Sequence, residues 1–373
     1  MFLENLYQKN QRWAQHGRTR VRTAIERGKT ANQLCINGKT YIDFASNDYL
    51  GLNQHQQIIT DFACAVQRYG LGSAASALVT GYSSEHARLE AQFAEWLQVD
   101  RALLFNSGYH ANLGIISALV GRSDCVFSDK LCHASLLAGI ALSRAHHVRY
   151  RHNDFEHVQQ LAKQRRPHLL VTESIFSMEG DLAPIHDLFT LAEHYQCGLL
   201  IDDAHGIGVL GATGAGIKEY CALSAHPLTF FVLPLGKALN GCGALVAGSH
   251  IVIETLLQFA KTYHYTTALP PAFCVALQSA LQVIQKETWR REQLRANCLF
   301  FTHYAQAQGL TLSSAEISPI QPLCVADNQQ LKQVQDELAA QGFYVAAIRA
   351  PTVPDQQPRL RISLNSLHTT DQN

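Results

Sequence analysis

Between residues 102 and 247 the chain repeats one pattern, a short apolar run followed by a longer segment of helical spacing. The runs are Ala102–Phe105, Cys125–Ser128, His147–Tyr150, Leu169–Glu173, Gly198–Asp202, Leu228–Leu233 and Ala244–Ala247. Helical spacing follows at Asn112–Val120, Ala134–Ser143, Phe155–Gln164 and Leu188–Tyr195. Strands alternating with helices of this kind form βαβ units, so an α/β fold is expected, with a mostly parallel central sheet covered on both faces. Ligands of such sheets collect at the carboxyl ends of the strands. The polar residues just beyond the runs are therefore the ones to weigh: Asn106-Ser107-Gly108, Glu173, Asp202-Asp203-Ala204-His205 and Lys237.

The texture changes at both ends. A helical arm and a small hairpin (Leu34–Asn37 and Thr40–Phe44 around Asn-Gly) are expected in residues 1–45, because Asn-Gly is a strong tight-turn signal. A large ligand-binding domain is expected over 46–271. A smaller α+β domain follows over 272–373, with helices at Ala272–Glu287, Arg290–Gln308 and Gln329–Gln341 and strands at Leu323–Val325, Tyr344–Ile348 and Arg359–Leu364. The link Ala350-Pro351-Thr352-Val353-Pro354 reads as an exposed turn. Only 16% of residues are charged, against about 25% in typical soluble domains, so a sizeable core can be buried. Thirty basic residues balance thirty acidic ones, which argues against nucleic-acid binding through bulk electrostatics. Residues 1–22 hold no apolar core of a signal peptide, and no run reaches the roughly 18 apolar residues of a membrane span. The ten cysteines include no C-x-x-C pair and read as small buried hydrophobes in a reducing compartment. A cytoplasmic protein without a membrane partner is expected.

Three features carry chemistry. Leu200-Ile201-Asp202-Asp203-Ala204-His205 ends a buried strand with carboxylates and an imidazole; an Asp there can hold a heterocyclic nitrogen protonated. Lys237 follows another apolar strand, and partial removal from water favours the neutral, nucleophilic amine. Phe105-Asn106-Ser107-Gly108-Tyr109 ends a strand in small residues at a helix start, offering free N–H groups to a phosphate. Taken singly, each has a plainer reading: a helix cap, a surface lysine, an ordinary turn. Together they supply a ring-nitrogen partner, an amine and a phosphate cup, which are the needs of pyridoxal 5′-phosphate.

Several segments resemble those of the α-oxoamine synthases, a family of fold-type I pyridoxal-phosphate transferases. They are Ser46-Asn47-Asp48-Tyr49-Leu50-Gly51-Leu52, Leu78-Val79-Thr80-Gly81-Tyr82-Ser83, Asp129 with His133-Ala134-Ser135-Leu136, His152-Asn153-Asp154 and Glu173–Asp181. Further ones are Asp202–His205, Gly236-Lys237-Ala238, Thr266–Pro271, Ala347-Ile348-Arg349 with Thr352-Val353-Pro354, and Arg359-Leu360-Arg361. The resemblance implies that Lys237 forms the Schiff base, that Asp202 partners the pyridine nitrogen and that His133 stacks on the ring and handles substrate. It implies His205 and Ser177 at the phenolic oxygen, Gly108, Tyr109 and Thr267 on the phosphate side, and Arg361 on the amino-acid carboxylate. Asn47, Arg349 and Thr352 would help to position substrates, and Arg22 or Arg20 would meet the acyl substrate. The implied reaction is a decarboxylative condensation of an amino acid with an acyl thioester in a homodimer. The Leu-Val-Thr-Gly-Tyr-Ser and Ala-Ile-Arg…Pro-Thr-Val-Pro segments favour the biotin-pathway member, which joins L-alanine to a pimeloyl group on coenzyme A or acyl carrier protein. Rival readings are 2-amino-3-ketobutyrate ligase, 5-aminolevulinate synthase, serine palmitoyltransferase, or a non-catalytic homologue acting as a binding partner.

The chain departs from the family pattern at three places. Pro234 stands where a phosphate-binding Thr is usual, and proline has neither hydroxyl nor N–H. Ala74-Ala75-Ser76-Ala77 replaces a Gly-Gly-Ser-Arg run. The sequence also stops soon after His368, short of a final helix. Weakened cofactor retention is expected from the first.

Overall fold

Asn37 and Gly38 both adopt positive φ (51° and 79°), the conformation a two-residue turn needs to match strand twist. They close a hairpin between β2 (Gln33–Ile36) and β3 (Lys39–Asp43), which β1 (Glu26–Arg27) extends on the outer side. The computed structural model describes all residues except 17–18, 311, 313–317, 351, 355–356 and 373. Pro351 of the expected link therefore lies outside the described residues.

The central sheet contains β4 (Arg101–Phe105), β5 (Cys125–Asp129), β6 (His146–Tyr150), β7 (Leu169–Glu173), β8 (Gly198–Asp202), β9 (Thr229–Pro234) and β10 (Ala244–Gly248). Their spatial order is β4-β10-β9-β8-β7-β5-β6. Strands β5 to β9 pair in parallel, whereas β10 runs antiparallel to both of its neighbours. Successive side chains feed two separate cores. Phe127, Leu170, Ile201 and Phe231 enter one; Val126, Val171, Leu200 and Val232 enter the other. Burial on both faces is why these strands read as unbroken apolar runs. One face is covered by helices Gly108–Leu119, Ala134–Ser143 and His250–Phe259, through Ile115, Leu136 and Ile253. The other receives helices Ser84–Leu97, Ile185–Tyr195 and Pro271–Lys286, through Leu89, Leu188 and Leu277.

A three-stranded sheet stands beside it: β11 (Ile320–Cys324), β13 (Ala346–Ile348) and β14 (Arg359–Ser363), with β14 in the middle. The strand expected over Tyr344–Ile348 is divided. Phe343–Tyr344 (β12) pairs in parallel with Ile42–Asp43, while Ala346–Ile348 pairs with β14. Buried Val345 is the crossing point between the two sheets. An alternating pattern reports faces, not partners, so the break left no trace in it.

Two further expectations are corrected. Cys64, Cys242 and Cys324 are exposed, so cysteine is not uniformly a core residue here, although Cys125, Cys132, Cys197, Cys274 and Cys298 are buried. In the proline link Thr352 and Pro354 are exposed but Val353 is buried, and the Thr352 N–H donates to the Arg349 carbonyl (3.1 Å) to close a local turn.

Gly180 sits in the loop between β7 and helix Ile185–Tyr195 with φ +72°, and a Cβ there would lie 2.2 Å from the Ile320 carbonyl oxygen. Gly180→Ala is expected to lower stability by about 2 kcal/mol or more, read as a shift of the urea unfolding midpoint.

Candidate active site

Because β4, β5, β7, β8 and β9 run the same way, their last residues and the turns after them meet along one edge of the sheet. Asp202 closes β8, Glu173 closes β7 in register with it, and Lys237 follows β9 by three residues.

Asp202 is buried, and both of its carboxylate oxygens are held. Asn112 Nδ2 donates to Oδ2 at 2.7 Å and Ala204 N–H to Oδ1 at 3.1 Å. Asn112 also donates to Ser135 Oγ (2.9 Å), and the Ser135 hydroxyl lies 2.7 Å from His133 Nδ1. Since Ser135 N–H points at Nδ1 too, that nitrogen is the acceptor and the ring proton belongs on Nε2. His133 is the N-cap of helix Ala134–Ser143, and its own N–H is taken by Glu173 Oε1 at 2.6 Å. Burial beside Asp202 pushes Glu173 up to about 8. Burial also lowers the His133 ring, against the opposing pull of Asp202.

Lys237 Nζ lies 2.9 Å from His205 Nε2. Burial lowers its ammonium to about 8, with the nearby carboxylates of Asp202 and Glu173 opposing. His205 is buried and held well below the ordinary imidazole range, first by desolvation and then by the charges of Lys237 and Arg361. A neutral ring that accepts from Lys237 at Nε2 carries its proton on Nδ1, which then donates to Tyr49 Oη at 2.6 Å. The Tyr49 hydroxyl donates onward to Asn47 Oδ1 (3.1 Å). Arg361 on β14 closes this chain: Nη1 donates to Asn47 Oδ1 (3.0 Å) and Ser363 Oγ (2.9 Å), and Nε donates to the Ser177 carbonyl (2.7 Å).

The structure thus brings Lys237, Asp202, His205, His133, Asn47, Ser177 and Arg361 together. Gly108 opens helix Gly108–Leu119, where Ser107 caps by accepting from His110 N–H at 3.2 Å. A Cβ on Gly108 would stand 2.7 Å from Pro234 Cγ, so the ring of Pro234 is packed on the bare backbone there. Thr267 is exposed and is tied to this corner by its carbonyl, which accepts from Asn106 Nδ2. Tyr109, Arg20, Arg22, Arg349 and Thr352 are exposed, and none is hydrogen-bonded to the Lys237-centred group among the described residues. Arg349 instead donates to the Thr19 carbonyl of the N-terminal arm (3.4 Å). Ala77 lines a small cavity next to Glu90, whose half-buried carboxylate is met by Tyr82 Oη (2.7 Å) and Leu104 N–H (2.8 Å). In the same run, Ala74 holds φ +60°, a left-handed conformation in which glycine would be unstrained.

Sequence reasoning passed over Asn112, and gave Ser135, Tyr49 and Glu173 no role. The available signal for Asn112 was a polar residue flanked by apolar ones in a helix that is otherwise buried on that side.

Residues 39–373 match the family described as aminotransferase class I and II. An 8-amino-7-oxononanoate synthase of Saccharophagus degradans is 45% identical over 89% of this chain and 84% of its own length. One of Cellvibrio japonicus is 44% identical over 97% and 91%. Among solved structures, a serine palmitoyltransferase of S. paucimobilis with PLP bound superposes with a TM-score of 0.91 at 28% identity, covering 99% of this chain and 94% of that one. The 8-amino-7-oxononanoate synthase of Francisella tularensis gives 0.79 at 33%, covering 89% and 94%. Beside an amine, a carboxylate and a guanidinium brought together at the ends of these strands, a family match over residues 39–373 and relatives this similar along nearly the whole chain place the protein in the aminotransferase class I and II family, among the 8-amino-7-oxononanoate synthases.

Proposed function

We propose that this site condenses L-alanine with a pimeloyl thioester, releasing CO2 and the free thiol carrier and yielding 8-amino-7-oxononanoate for biotin synthesis. The single observation that carries the reading is the Lys237–His205–Tyr49–Asn47–Arg361 chain, which links an imine-forming amine to a carboxylate-binding guanidinium. The donor set fits pyridoxal 5′-phosphate: Asp202, oriented by Asn112 and Ala204, for the ring nitrogen; Lys237 for the aldehyde; and the N-terminus of helix Gly108–Leu119 for the phosphate. When bound, the cofactor supplies an electron sink for the carbon attached to the amino-acid nitrogen.

The remaining roles belong to the chain. Lys237, with its ammonium lowered to about 8, has a far larger share of free amine near neutral pH than an ordinary lysine, and that amine removes and returns the proton at the alanine α-carbon. Asp202 keeps the ring nitrogen protonated. His133, exposed and carrying its ring proton on Nε2, would stack on the cofactor ring and handle substrate. His205 and Ser177 would hold the phenolic oxygen, and Gly108, Tyr109 and Thr267 the phosphate. Arg361 grips the amino-acid carboxylate, where a planar fork suits two oxygens at once. Its present partners, the Ser177 carbonyl and Asn47, yield part of that fork when the substrate enters. Asn47, Arg349 and Thr352 position substrates, and Arg22 or Arg20 meets the acyl chain's distal end.

We also read the chain as a cytoplasmic homodimer taking its acyl group from coenzyme A or acyl carrier protein. Its ten cysteines, with no C-x-x-C pair, suit a reducing compartment, and no helix among the described residues is long and apolar enough to cross a membrane. Leu71, Val79 and Tyr265 are 90%, 74% and 83% exposed close to the Thr266-Thr267 corner, an apolar surface that a second copy covers. The division into 1–45, 46–271 and 272–373 belongs to the same reading. It is supported by a seven-stranded sheet drawn from Arg101–Gly248 and a three-stranded one drawn from Ile320–Ser363.

The direct test is the visible spectrum of the protein with pyridoxal phosphate, titrated in parallel with L-alanine, glycine and L-serine. The expected result is a band that alanine perturbs most; a folded protein that shows no band overturns the catalytic reading. The rate at which cofactor-free protein captures pyridoxal phosphate is expected to rise with pH through about 8, because the neutral amine is the nucleophile, and not near the usual lysine value. Pro234→Thr is expected to tighten the cofactor dissociation constant by about tenfold, the worth of one hydrogen bond to a charged group, read by fluorescence titration.

A further inference from the structure

His152 touches neither Lys237 nor Asp202, yet its ring stands between two carboxylates. Nδ1 is 3.1 Å from Asp129 Oδ1 and Nε2 is 2.9 Å from Asp181 Oδ2. A carboxylate only accepts, so both ring nitrogens must donate and the ring is an imidazolium. Although burial opposes this charge, the two anions outweigh it and push the ring up to about 10.

The two anions belong to different walls of the site. Asp129 ends β5 and caps the turn that leads to His133: its Oδ1 accepts from Leu131 N–H (2.7 Å), and its carbonyl from Cys132 N–H (3.3 Å). Asp181 belongs to the loop that carries Ser177, and its carbonyl accepts from Phe176 N–H at 3.0 Å. Asn153 joins the same two points, donating its N–H to Asp129 Oδ2 (2.9 Å) and its amide to Asp181 Oδ2 (2.8 Å). The edge of the His152 ring meets Phe176, next to Ser177, with centroids 4.4 Å apart. At its far side this loop is held from β14, by Arg359 at Glu179 (3.1 Å) and by Arg361 at the Ser177 carbonyl (2.7 Å).

We infer that His152 is a positioning residue for the reaction, a cationic spacer that fixes the distance between the turn bearing His133 and the loop bearing Ser177. The inference rests on the reading above, in which those two residues face the cofactor. Removing the cation does more than delete two contacts. It leaves Asp129 and Asp181 facing each other uncompensated, with Glu179 on the same loop and engaged by Arg359, so the two walls are driven apart. Neighbouring Arg151 does not replace the cation, because it is spent on Asp154 at 2.7 Å.

The test compares His152→Gln with the native holoenzyme. The expected kcat loss is about ten- to a hundredfold, as for other groups that orient a reacting shell, with the larger share in kcat and not in KM. The visible circular dichroism of the bound cofactor is expected to change with it. Stability supplies an independent readout. The folded ring holds its proton to about pH 10, against about 6.5 when unfolded, so the native protein's advantage over His152→Gln is full below about 6.5 and is lost as pH rises through about 10. Asp181→Asn keeps an acceptor but drops one charge; it is expected to shift the same signals less, and it decides the matter where His152→Gln does not fold. Native kcat and native dichroism in a folded variant overturn the inference, as does a stability difference that persists unchanged at pH 10. A native protein whose spectrum ignores all three amino acids instead overturns the functional reading, leaving the pH-dependent stability difference to stand.

Discussion

Glu173 and Asp202 face each other in register on neighbouring parallel strands, both shut off from water. Two like charges at the spacing of adjacent strands repel by about 3 kcal/mol at an effective dielectric constant near 20. The surroundings answer in three ways. Glu173 is pushed up to about 8 and so gives up much of its charge. Asp202, with an amide and an N–H on its two oxygens, is fixed in orientation. Lys237 brings a cation to a place where its own desolvation makes that charge easy to lose. The lysine is consequently both the counter-ion that lets the pair exist and an amine that gives up its proton easily, and neither property needs a separate device.

The second sheet matters because of one strand. Arg359 and Arg361 lie two residues apart on β14 and so leave the same face of the strand, and both reach the loop after β7. One guanidinium holds Met178 and Glu179, the other the carbonyl of Ser177. The loop is therefore clamped between a small sheet and a large one. Arg361 also joins the Asn47–Tyr49 turn to this clamp, so the amino-terminal segment is part of the site although it contributes no strand to the central sheet.

Much of this was legible in the chain itself. Six of the seven strands, all but the edge strand β6, are buried along nearly their whole length and give continuous apolar runs, and the carboxyl-end rule then directs attention to Asp202, Lys237 and the Asn106–Gly108 turn. What was not legible depends on approach between distant segments. Asn112 reads as an ordinary helix residue until helix Gly108–Leu119 is laid across the end of β8. Tyr49 reads as one more aromatic until His205 arrives from 156 residues away. The break at Val345 was hidden for a related reason: pairing partners are chosen by geometry beyond the reach of a period-two pattern. Exposed Cys64, Cys242 and Cys324 show the limit of arguing burial from residue type alone.

The pairing of β3 with β12 has a consequence for how the protein is made. Asp43 finds its partner at Tyr344, roughly three hundred residues further along the chain. At about 5–20 residues per second, the hairpin leaves the ribosome some 15–60 s before the strand that completes its sheet. Throughout that interval β3 keeps an open edge, and the turn bearing Asn47 and Tyr49 has no Arg361 to receive it. A nascent chain can thus assemble its large sheet early while Asn47 and Tyr49 still lack Arg361, so the hydrogen-bond chain that runs from Lys237 closes only once β14 has been made.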